Sequence, residues 1–156
     1  MLNETKLDKT DRMILRELQL NSRISNAELA DKVNLSPTPC LRRLRKLETN
    51  GVIQAYKAEL NLQKSGFGIS AIVFVQLTLN STANACLFED AIRDISRVQG
   101  CAVLAGRHDY LLNVVAKNLS DYEQLIKGEL AAIPNIKNLE STIVLNQLSL
   151  DSCLPI

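Results

Sequence analysis

The segment from Ser36 to Leu47 carries the residues best suited to bind a charged partner. It contains three leucines spaced three residues apart, which fall in a helical sector about 120° wide, and no acidic residue. The opposite side of that helix carries Thr38, Arg42, Arg45 and Lys46, with Arg43 on a flank. A helix with an apolar back and a cationic front suits insertion into a DNA major groove. A solvated charged surface is the alternative interpretation of such a run.

Proline chemistry sets the beginning of this basic helix. Pro37 and Pro39 have a fixed φ that fits a first helical turn, and Ser36 or Thr38 can cap the freed N–H groups. Cys40 falls in the leucine sector, so we predict that it is a small core residue.

Composition bounds the class of protein that these residues serve. The 156 residues have a net charge of +1, but residues 1–62 hold eleven Lys/Arg against eight Asp/Glu and residues 63–156 hold seven against nine. The cysteines are scattered and there is one histidine, so no zinc site is expected. No signal region and no apolar run of 18 residues is present, and we expect a cytoplasmic protein with reduced thiols and no membrane partner.

The elements before the basic helix predict a helix-turn-helix domain over residues 1–62. Asp8 is a plausible N-cap for a helix over 7–21, and Ser25 with Glu28 has the form of a capping box for a second, short helix. A tight turn at 34–35 leads into the basic helix, which Asn50-Gly51 ends. The alternation over 52–60 predicts a strand that forms a wing or connecting arm.

The second half of the chain predicts a separate domain. Segment 63–69 is rich in turn residues and is interpreted as a hinge. Beyond it we predict strand 70–79 (with Leu79 on its apolar side), helix 84–96, strands 98–105 and 110–116 around a tight turn at 106–109, a helix capped by Ser120, and strand 139–148. This order is a ferredoxin-like βαββαβ domain over 70–156. The apolar runs in strands 70–79 and 110–116 predict that the sheet face without helices is covered by another chain.

The chain resembles the leucine-responsive/asparagine-synthetase regulator (Lrp/AsnC) family from about Leu7 to Leu148. The words that carry the likeness are Ile24-Ser25-Asn26, Leu35-Ser36-Pro37-Thr38-Pro39-Cys40-Leu41 and Gly106-Arg107-His108-Asp109-Tyr110-Leu111-Leu112. The resemblance implies an α+β transcription regulator with an N-terminal winged helix-turn-helix domain. It also implies a C-terminal domain that dimerises and binds a small amino acid, with dimers assembling into an octamer, and double-stranded pseudo-palindromic DNA as the partner.

The resemblance also assigns site residues. The DNA-binding set is Thr38, Pro39, Arg42, Arg43, Arg45 and Lys46, in which Thr38 and Arg42 suit base contact and Arg43, Arg45 and Lys46 suit phosphates. The effector-binding set is Leu104, Ala105, Gly106, Arg107, Asp109, Ser141 and Thr142. Exposed N–H groups of the turn suit a carboxylate, and Asp109 suits an α-ammonium group. The alternative is that Gly106 and Asp109 merely make a hairpin turn. His108, a single histidine in a turn, is interpreted as solvated and receives no role.

Two other functions stay open from the sequence. One is an architectural, nucleoid-type DNA binder with little response to a ligand. The other is an enzyme similar to sirohaem decarboxylases, which share this architecture. The sequence offers no Ser/His/Asp set, carboxylate dyad or phosphate loop, so no enzyme activity and no cofactor are expected. Apolar neighbours such as Leu104 favour leucine or methionine as the effector.

Overall fold

The computed structural model describes residues 6–79, 81–146 and 153–156 and divides into two compact units. The first unit comprises Met1–Glu59 with Ser149–Ile156, and the second comprises Leu60–Leu148. The division falls close to segment 63–69, whose role as a hinge stays a prediction. Within the described ranges, no helix is long and apolar enough to span a bilayer.

The first unit is a bundle of three helices. They are α1 (Lys9–Leu20), α2 (Asn26–Lys32) and α3 (Pro37–Thr49). Their shared core contains Ile14, Leu29, Ala30, Cys40 and Leu47, all of them at most 2% exposed. The burial of Cys40 confirms its prediction as a core residue. The helix-turn-helix arrangement predicted for this half of the chain is therefore present.

Two of the three predicted helix beginnings are confirmed. Asp8 caps α1 in a capping box with Asp11, and Ser25 caps α2 in a capping box with Glu28. The prediction for α3 is wrong in one respect, because Ser36 is the N-cap residue but its side chain makes no capping hydrogen bond. The reason is that Pro39 occupies the third helical position and has no N–H group for the serine hydroxyl to bind.

The chain leaves α3 through the predicted stop but does not then form the predicted strand. Asn50 is the C-cap and Gly51 adopts φ +70°, as a helix end with glycine requires. Residues 52–60, predicted as a strand, form no β-ladder in the described chain. A strand needs a neighbour to bond with, and no strand among the described residues pairs with this segment.

The C-terminal residues pack on α1. The Gln19 side chain accepts a 2.6 Å hydrogen bond from the Leu154 N–H and donates to the Leu154 carbonyl at 3.5 Å. The Arg16 guanidinium also donates to the backbone oxygen of Ile156. These contacts have no signature in the sequence, because the tail carries neither helical nor strand periodicity.

The second unit has the predicted order of elements. These are β1 (Ile69–Leu77), α4 (Thr82–Arg93), β2 (Val98–Val103), β3 (Tyr110–Ala116), α5 (Leu119–Gln124) continued by a π-helix (Leu125–Leu130), and β4 (Ile136–Ile143). The sheet order is β2-β3-β1-β4, and all neighbours are antiparallel. The ferredoxin-like fold is therefore confirmed.

One side of the sheet packs against the helices and the other does not. Val73 and Val75 of β1 and Leu112 of β3 are fully buried in one core with Phe88 of α4 and Leu125 of the π-helix. The alternate residues of β1, including Ile72 and Phe74, are only partly buried and lie on the opposite side. We call this side, which also carries Leu111 and Glu140 opposite Phe74, the open face.

Several boundaries differ from the predicted ones. Strand β1 ends at Leu77, so Leu79 is 65% exposed instead of belonging to the apolar side. Strand β4 begins at 136 and ends at 143, earlier than the predicted 139–148, of which 147–148 lie outside the described residues. Pairing with β1 sets the beginning of β4, because Ile136 lies opposite Leu77, the last residue of β1.

The N-cap of α5 is not Ser120, the residue predicted from the sequence. Asn118 is the N-cap of α5 and its side chain accepts the Asp121 N–H at 2.9 Å, whereas Ser120 lies inside the first turn. Asp121 accepts the Lys117 N–H at 2.8 Å, which strengthens this beginning. The sequence contains two overlapping capping patterns, one beginning at Asn118 and one at Ser120. The helix begins at the first of them, because only Lys117 separates Asn118 from the end of β3.

Candidate functional site

Helix α3 presents the cationic surface that its sequence predicts. Thr38, Arg42, Arg45 and Lys46 are exposed, while Pro39 and Arg43 are partly buried. The apolar side is turned into the unit, where Cys40 and Leu47 are buried. Pro37 and Pro39 carry no N–H group, so Thr38 supplies the one free backbone N–H among the first three residues of α3. The Thr38 hydroxyl is a second donor at the same position.

Arg43 is held by the first helix. Its Nη1 atom lies 2.6 Å from Asp8 Oδ2 and 2.7 Å from Asp11 Oδ1. These bonds, first the one to Asp8, raise the pKa of Arg43. The pKa of the Asp8 carboxyl is lowered, chiefly by the Asp11 N–H and then by Arg43. The arrangement ties the N-terminal end of α1 to α3 and distinguishes Arg43 from the more exposed Arg42 and Arg45.

Asn26 fixes the second helix against the beginning of α3. Its amide nitrogen donates to the Pro37 carbonyl at 2.9 Å, and the Asn26 side chain is partly buried. Its Oδ1 atom is buried without a hydrogen-bond partner among the described residues. This orienting bond was not predicted from the sequence, in which Asn26 is only one residue of a motif typical of the family. An Asn directly after an N-cap serine is the only signal for it.

The turn at Leu104–Asp109, which we call the effector turn, is fastened at both ends. The Leu104 N–H donates to the Asp109 carbonyl at 2.8 Å and closes the hairpin, and the Asp109 N–H donates to the Val75 carbonyl at 2.9 Å. The Asp109 carboxylate accepts the Leu77 N–H at 2.7 Å. Asp109 therefore anchors the turn to the end of β1.

Tyr110, the residue directly after the turn, is held in place by burial and by a hydrogen bond. It is 2% exposed, and its hydroxyl donates to Glu89 of α4 at 3.0 Å. Burial, and then this hydrogen bond, raise the pKa of Tyr110 to about 12. The chain is therefore held in the core directly after the effector turn, while Ala105, Gly106 and Arg107 at the tip of the turn are exposed.

Gly106 is not required by the turn's own geometry. Its φ is not in the left-handed region, and a Cβ atom built there meets nothing within 4 Å. An alanine at this position would therefore meet no other atom of this chain. The absence of a side chain therefore leaves accessible backbone at the tip of the turn, where another molecule can approach closely.

The two predicted effector residues on β4 face opposite sides of the sheet. Ser141 pairs with Val73 and lies on the helix side, whereas Thr142 pairs with Ile72 and lies on the open face. Thr142 shares that face with Glu140, to which Arg107 Nη2 lies at 3.3 Å. Of Ser141 and Thr142, only Thr142 therefore lies on the same face as Glu140, which the turn contacts through Arg107.

His108 is not the solvated residue that the sequence suggested. Its ring centroid lies 5.0 Å from that of Phe74, and its side chain is 16% exposed. Its Nε2 atom lies 3.3 Å from Glu140 Oε2. The turn folds over the open face, which buries the imidazole against an aromatic ring of β1. A turn residue's burial depends on where the hairpin folds, and no local pattern reports it. The contact of Glu140 with this turn was likewise not predicted from the sequence.

No group of three or more His, Cys, Asp or Glu side chains that could hold a metal ion occurs in the part of the chain that the structure describes. All four cysteines are free thiols, and Cys40 alone of them is buried.

Comparison with known proteins matches both halves of the chain. Residues 7–54 match a family model described as winged helix-turn-helix DNA-binding, and residues 70–152 match one described as Lrp/AsnC ligand binding domain. The chain is 40% identical over 144 residues to the leucine-responsive regulatory protein of Escherichia coli K12, a match that covers 91% of this chain and 87% of the relative. The same identity and coverage hold for the leucine-responsive regulatory protein of Klebsiella pneumoniae.

Solved structures agree with these matches. A transcriptional regulator from Neisseria meningitidis, solved as a complex with L-Met, superposes with a TM-score of 0.90 at 33% identity, over 96% of this chain and 97% of that one. An AsnC family transcriptional regulator from Agrobacterium tumefaciens gives a TM-score of 0.87, also at 33% identity and with the same coverage.

Proposed function

Since the chain belongs to the Lrp/AsnC family of DNA-binding transcription regulators with a ligand-binding domain, we propose that its ligand is an amino acid bound at the effector turn. We further propose that α3 reads double-stranded DNA and that the effector changes DNA binding or assembly. The single observation that carries the proposal is the pairing, in one chain, of an exposed cationic α3 with an anchored turn whose tip leaves backbone accessible.

The DNA-binding roles follow from exposure along α3. Thr38 and Arg42 are exposed in its N-terminal half, where a recognition helix meets base edges, and we assign them to base or groove-edge contact. Arg45 and Lys46 are exposed further along and suit phosphates, with Pro39 at the groove edge. We assign Arg43 to phosphate contact as a second role, beside its ion pairs with Asp8 and Asp11.

Substitution of Arg42 tests the DNA-binding face. Arg42→Ala is expected to lower affinity for operator DNA by about 10- to 100-fold and to relax sequence preference, because an arginine contact to a base edge discriminates strongly. Fluorescence anisotropy with operator and scrambled duplexes measures this. The matched control is Arg93→Ala, an exposed arginine paired with Asp90 on α4. Operator binding that is unchanged in Arg42→Ala would contradict the assignment.

The effector is proposed to be an aliphatic amino acid, with leucine or methionine favoured. Its carboxylate would meet the exposed backbone at Gly106 and the Arg107 guanidinium, and its ammonium group would meet Asp109. Leu104 and Ala105 would contact its side chain, and Ser141 and Thr142 would contribute from β4. Support comes from the relatives named as leucine-responsive and from the similar regulator solved with L-Met.

A thermal-shift screen against the twenty amino acids identifies the effector. A ligand present at a hundred times its Kd adds about 2.7 kcal/mol to the free energy of unfolding, which is a clear rise in Tm. Absence of a shift with every amino acid would contradict the proposal and favour an architectural DNA binder.

Asp109→Asn then tests the ammonium contact. The amide oxygen can still accept the Leu77 N–H, so the turn should stay anchored while the negative charge is removed. Affinity for the effector is expected to fall by about 10-fold or more, since a hydrogen bond between charged groups is worth about 1.5–3 kcal/mol. Operator affinity without effector should remain that of the unaltered chain.

Assembly completes the proposal. Two chains would form a dimer that presents two α3 helices to a pseudo-palindromic operator, and four dimers would form an octamer in which effectors lie between dimers. Such a regulator would act in the cytoplasm on nucleoid DNA. Sedimentation velocity with and without the effector measures the assembly, and a monomer at micromolar concentration would contradict it.

A further inference from the structure

Residues 153–156, which we call the tail strap, are docked on helix α1 through their backbone. The Gln19 side chain binds both backbone groups of Leu154, because it accepts the Leu154 N–H at 2.6 Å and donates to the Leu154 carbonyl at 3.5 Å. The Arg16 guanidinium donates to the backbone oxygen of Ile156, whose own N–H donates to the Leu154 carbonyl at 2.8 Å. The backbone N–H groups of Leu154 and Ile156 therefore both have partners, as expected of a docked segment.

The tail strap lines one wall of an apolar cleft in the first unit. Ile156 packs against the buried core of this unit, and Leu154 lines the cleft together with it. Helix α1 forms a second wall through Leu15 and Leu18, and residues 52–57, which follow α3, form a third. The cleft has a volume of about 680 Å³, so removal of the strap would expose a substantial apolar surface. The tail strap therefore bridges α1 and the segment that follows α3.

Both of these other walls are fastened to α3. Asp11 of α1 lies 2.7 Å from the Arg43 guanidinium of α3. From the segment after α3, the Tyr56 hydroxyl donates to Glu48 of α3 at 2.9 Å. A segment that bridges the two walls therefore restrains the helix to which both are joined, and that helix is the one proposed to read DNA.

The contacts of the tail strap are weak enough to break while the unit stays folded. Arg16 and Gln19 are exposed, and Leu154 is 68% exposed. A segment with few buried apolar contacts and solvent-exposed hydrogen bonds opens at a small fraction of the free energy that unfolds the whole molecule. The fully buried residues of this core, by contrast, include none of residues 153–156.

We propose that the tail strap is a conformational device of the DNA-binding unit, which closes the cleft and holds α3 in the arrangement that binds DNA. When the strap is docked, α1 and residues 52–57 are bridged, and α3, which is joined to both, is held in place. When the strap is released, α3 gains freedom and a smaller fraction of molecules is ready to bind. The inference rests on the proposed DNA-binding role of α3 and does not involve the effector.

Substitutions on the two sides of the contact test the strap in the whole chain. Gln19→Ala removes both hydrogen bonds to Leu154 and keeps a strong helix former in α1. Ile156→Asp places a charge against the apolar cleft. Each is expected to weaken DNA binding by about three- to tenfold, as when the competent fraction falls to about a third or a tenth. Fluorescence anisotropy measures this with a labelled duplex that the unaltered chain selects from a random-sequence library.

Three comparisons separate release of the strap from loss of a direct DNA contact. The double variant should bind no more weakly than the weaker of the single variants, because the strap is already released. The salt dependence of DNA affinity in Gln19→Ala should equal that of the unaltered chain, since no phosphate contact is lost. The matched control is Leu20→Ala, which changes a neighbouring leucine that is 70% exposed and should bind DNA normally. Additive losses, a reduced salt dependence or an equal loss in the control would each overturn the proposal.

Amide hydrogen exchange, followed by NMR, reports docking of the strap without DNA. The Leu154 N–H should exchange more slowly in the unaltered chain and in Leu20→Ala than in Gln19→Ala. Equally fast exchange in all three would show that the strap is not docked and would overturn the proposal. Faster exchange in Gln19→Ala with unchanged DNA binding would overturn the link to α3 and leave the DNA-binding role of α3 intact. An unaltered chain that selects no duplex would overturn that role and this inference together.

Discussion

At the scale of single residues, two arginines of α3 that lie two positions apart have different surroundings and should have different effects. Arg43 bonds to two aspartates of α1, whereas Arg45 is exposed. The sequence alone treated both as phosphate contacts, because helical spacing reports the direction of a side chain and not its partner on another element. The acidic residues that hold Arg43 lie more than thirty positions away.

Two substitutions separate these roles. Arg43→Ala is expected to lower the free energy of unfolding by about 1 kcal/mol, the upper range of a partly exposed ion pair. Arg45→Ala should leave stability within about 0.5 kcal/mol of the unaltered chain, as surface substitutions usually do. It should also reduce the salt dependence of DNA affinity by about one phosphate contact. Thermal melts and DNA titrations over a range of salt concentration measure the two effects. A larger loss of stability in Arg45→Ala than in Arg43→Ala would reverse the assignment.

At the scale of elements, the sequence predicts local features well and long-range ones poorly. The Asp8 N-cap of α1, the capping box of α2 and the bounds of β3 at 110–116 were predicted from short patterns that need only neighbouring residues. The segment 52–60 and the ends of β4 were not, since whether an extended segment forms a ladder depends on which strand lies beside it. The π-helix at Leu125–Leu130 was likewise not predicted from the sequence.

The cap of α5 is the element where two sequence patterns competed, and it provides a paired test. Asn118→Ala should cost about 1 kcal/mol, the typical loss of an N-cap side chain. Ser120→Ala should be nearly neutral, within about 0.5 kcal/mol, because Ser120 lies in the first turn and is exposed. Denaturant unfolding of both variants decides between them. An equal or greater cost for Ser120→Ala would restore the serine as the cap.

The capping boxes also make stability depend on pH. Hydrogen bonds from Ser25, first its hydroxyl and then its backbone N–H, lower the pKa of Glu28. A carboxyl whose pKa is lower in the folded state stabilises the fold above its ordinary pKa and loses that contribution as pH falls through the folded value. We therefore expect Tm to fall on acidification below about pH 4.5, near the ordinary pKa of Glu. Glu28→Gln, which keeps the hydrogen-bonding shape without titrating, should flatten the fall. An unchanged slope in this variant would exclude Glu28 as its source.

At the scale of the whole molecule, the two units divide the chemistry of the chain. The excess of positive charge lies in residues 1–62, with the exposed face of α3, while residues 63–156 carry a slight negative excess and the effector turn. An excess of three charges is small for a DNA-binding protein, which must neutralise several phosphates. Presenting two or more copies of α3 on one duplex multiplies that charge, so the proposed assembly is part of DNA recognition and not an addition to it.

The open face of the sheet is where we expect that assembly to form. Ile72 lies near the middle of β1 on this face and is partly buried, while its neighbours Ala71 and Val73 are at most 1% exposed on the helix side. Ile72→Asp places a charge on the open face without entering the core, so the monomer fold should survive. A charge buried in an interface without a partner costs several kcal/mol, and the dimer should dissociate at micromolar concentration. Size-exclusion chromatography with light scattering measures this.

The control for that substitution is Leu87→Asp, an apolar residue that is 57% exposed on α4, on the other side of the sheet. It adds the same charge to the same unit and should leave the assembly intact. Loss of assembly should also weaken operator binding in Ile72→Asp, because one α3 then meets the duplex alone. If Ile72→Asp remains dimeric while Leu87→Asp dissociates, the copies associate through the helices and the open face serves another purpose. If both remain dimeric and bind DNA as the unaltered chain does, the contact lies in the first unit, where residues 52–59 have no strand partner among the described residues.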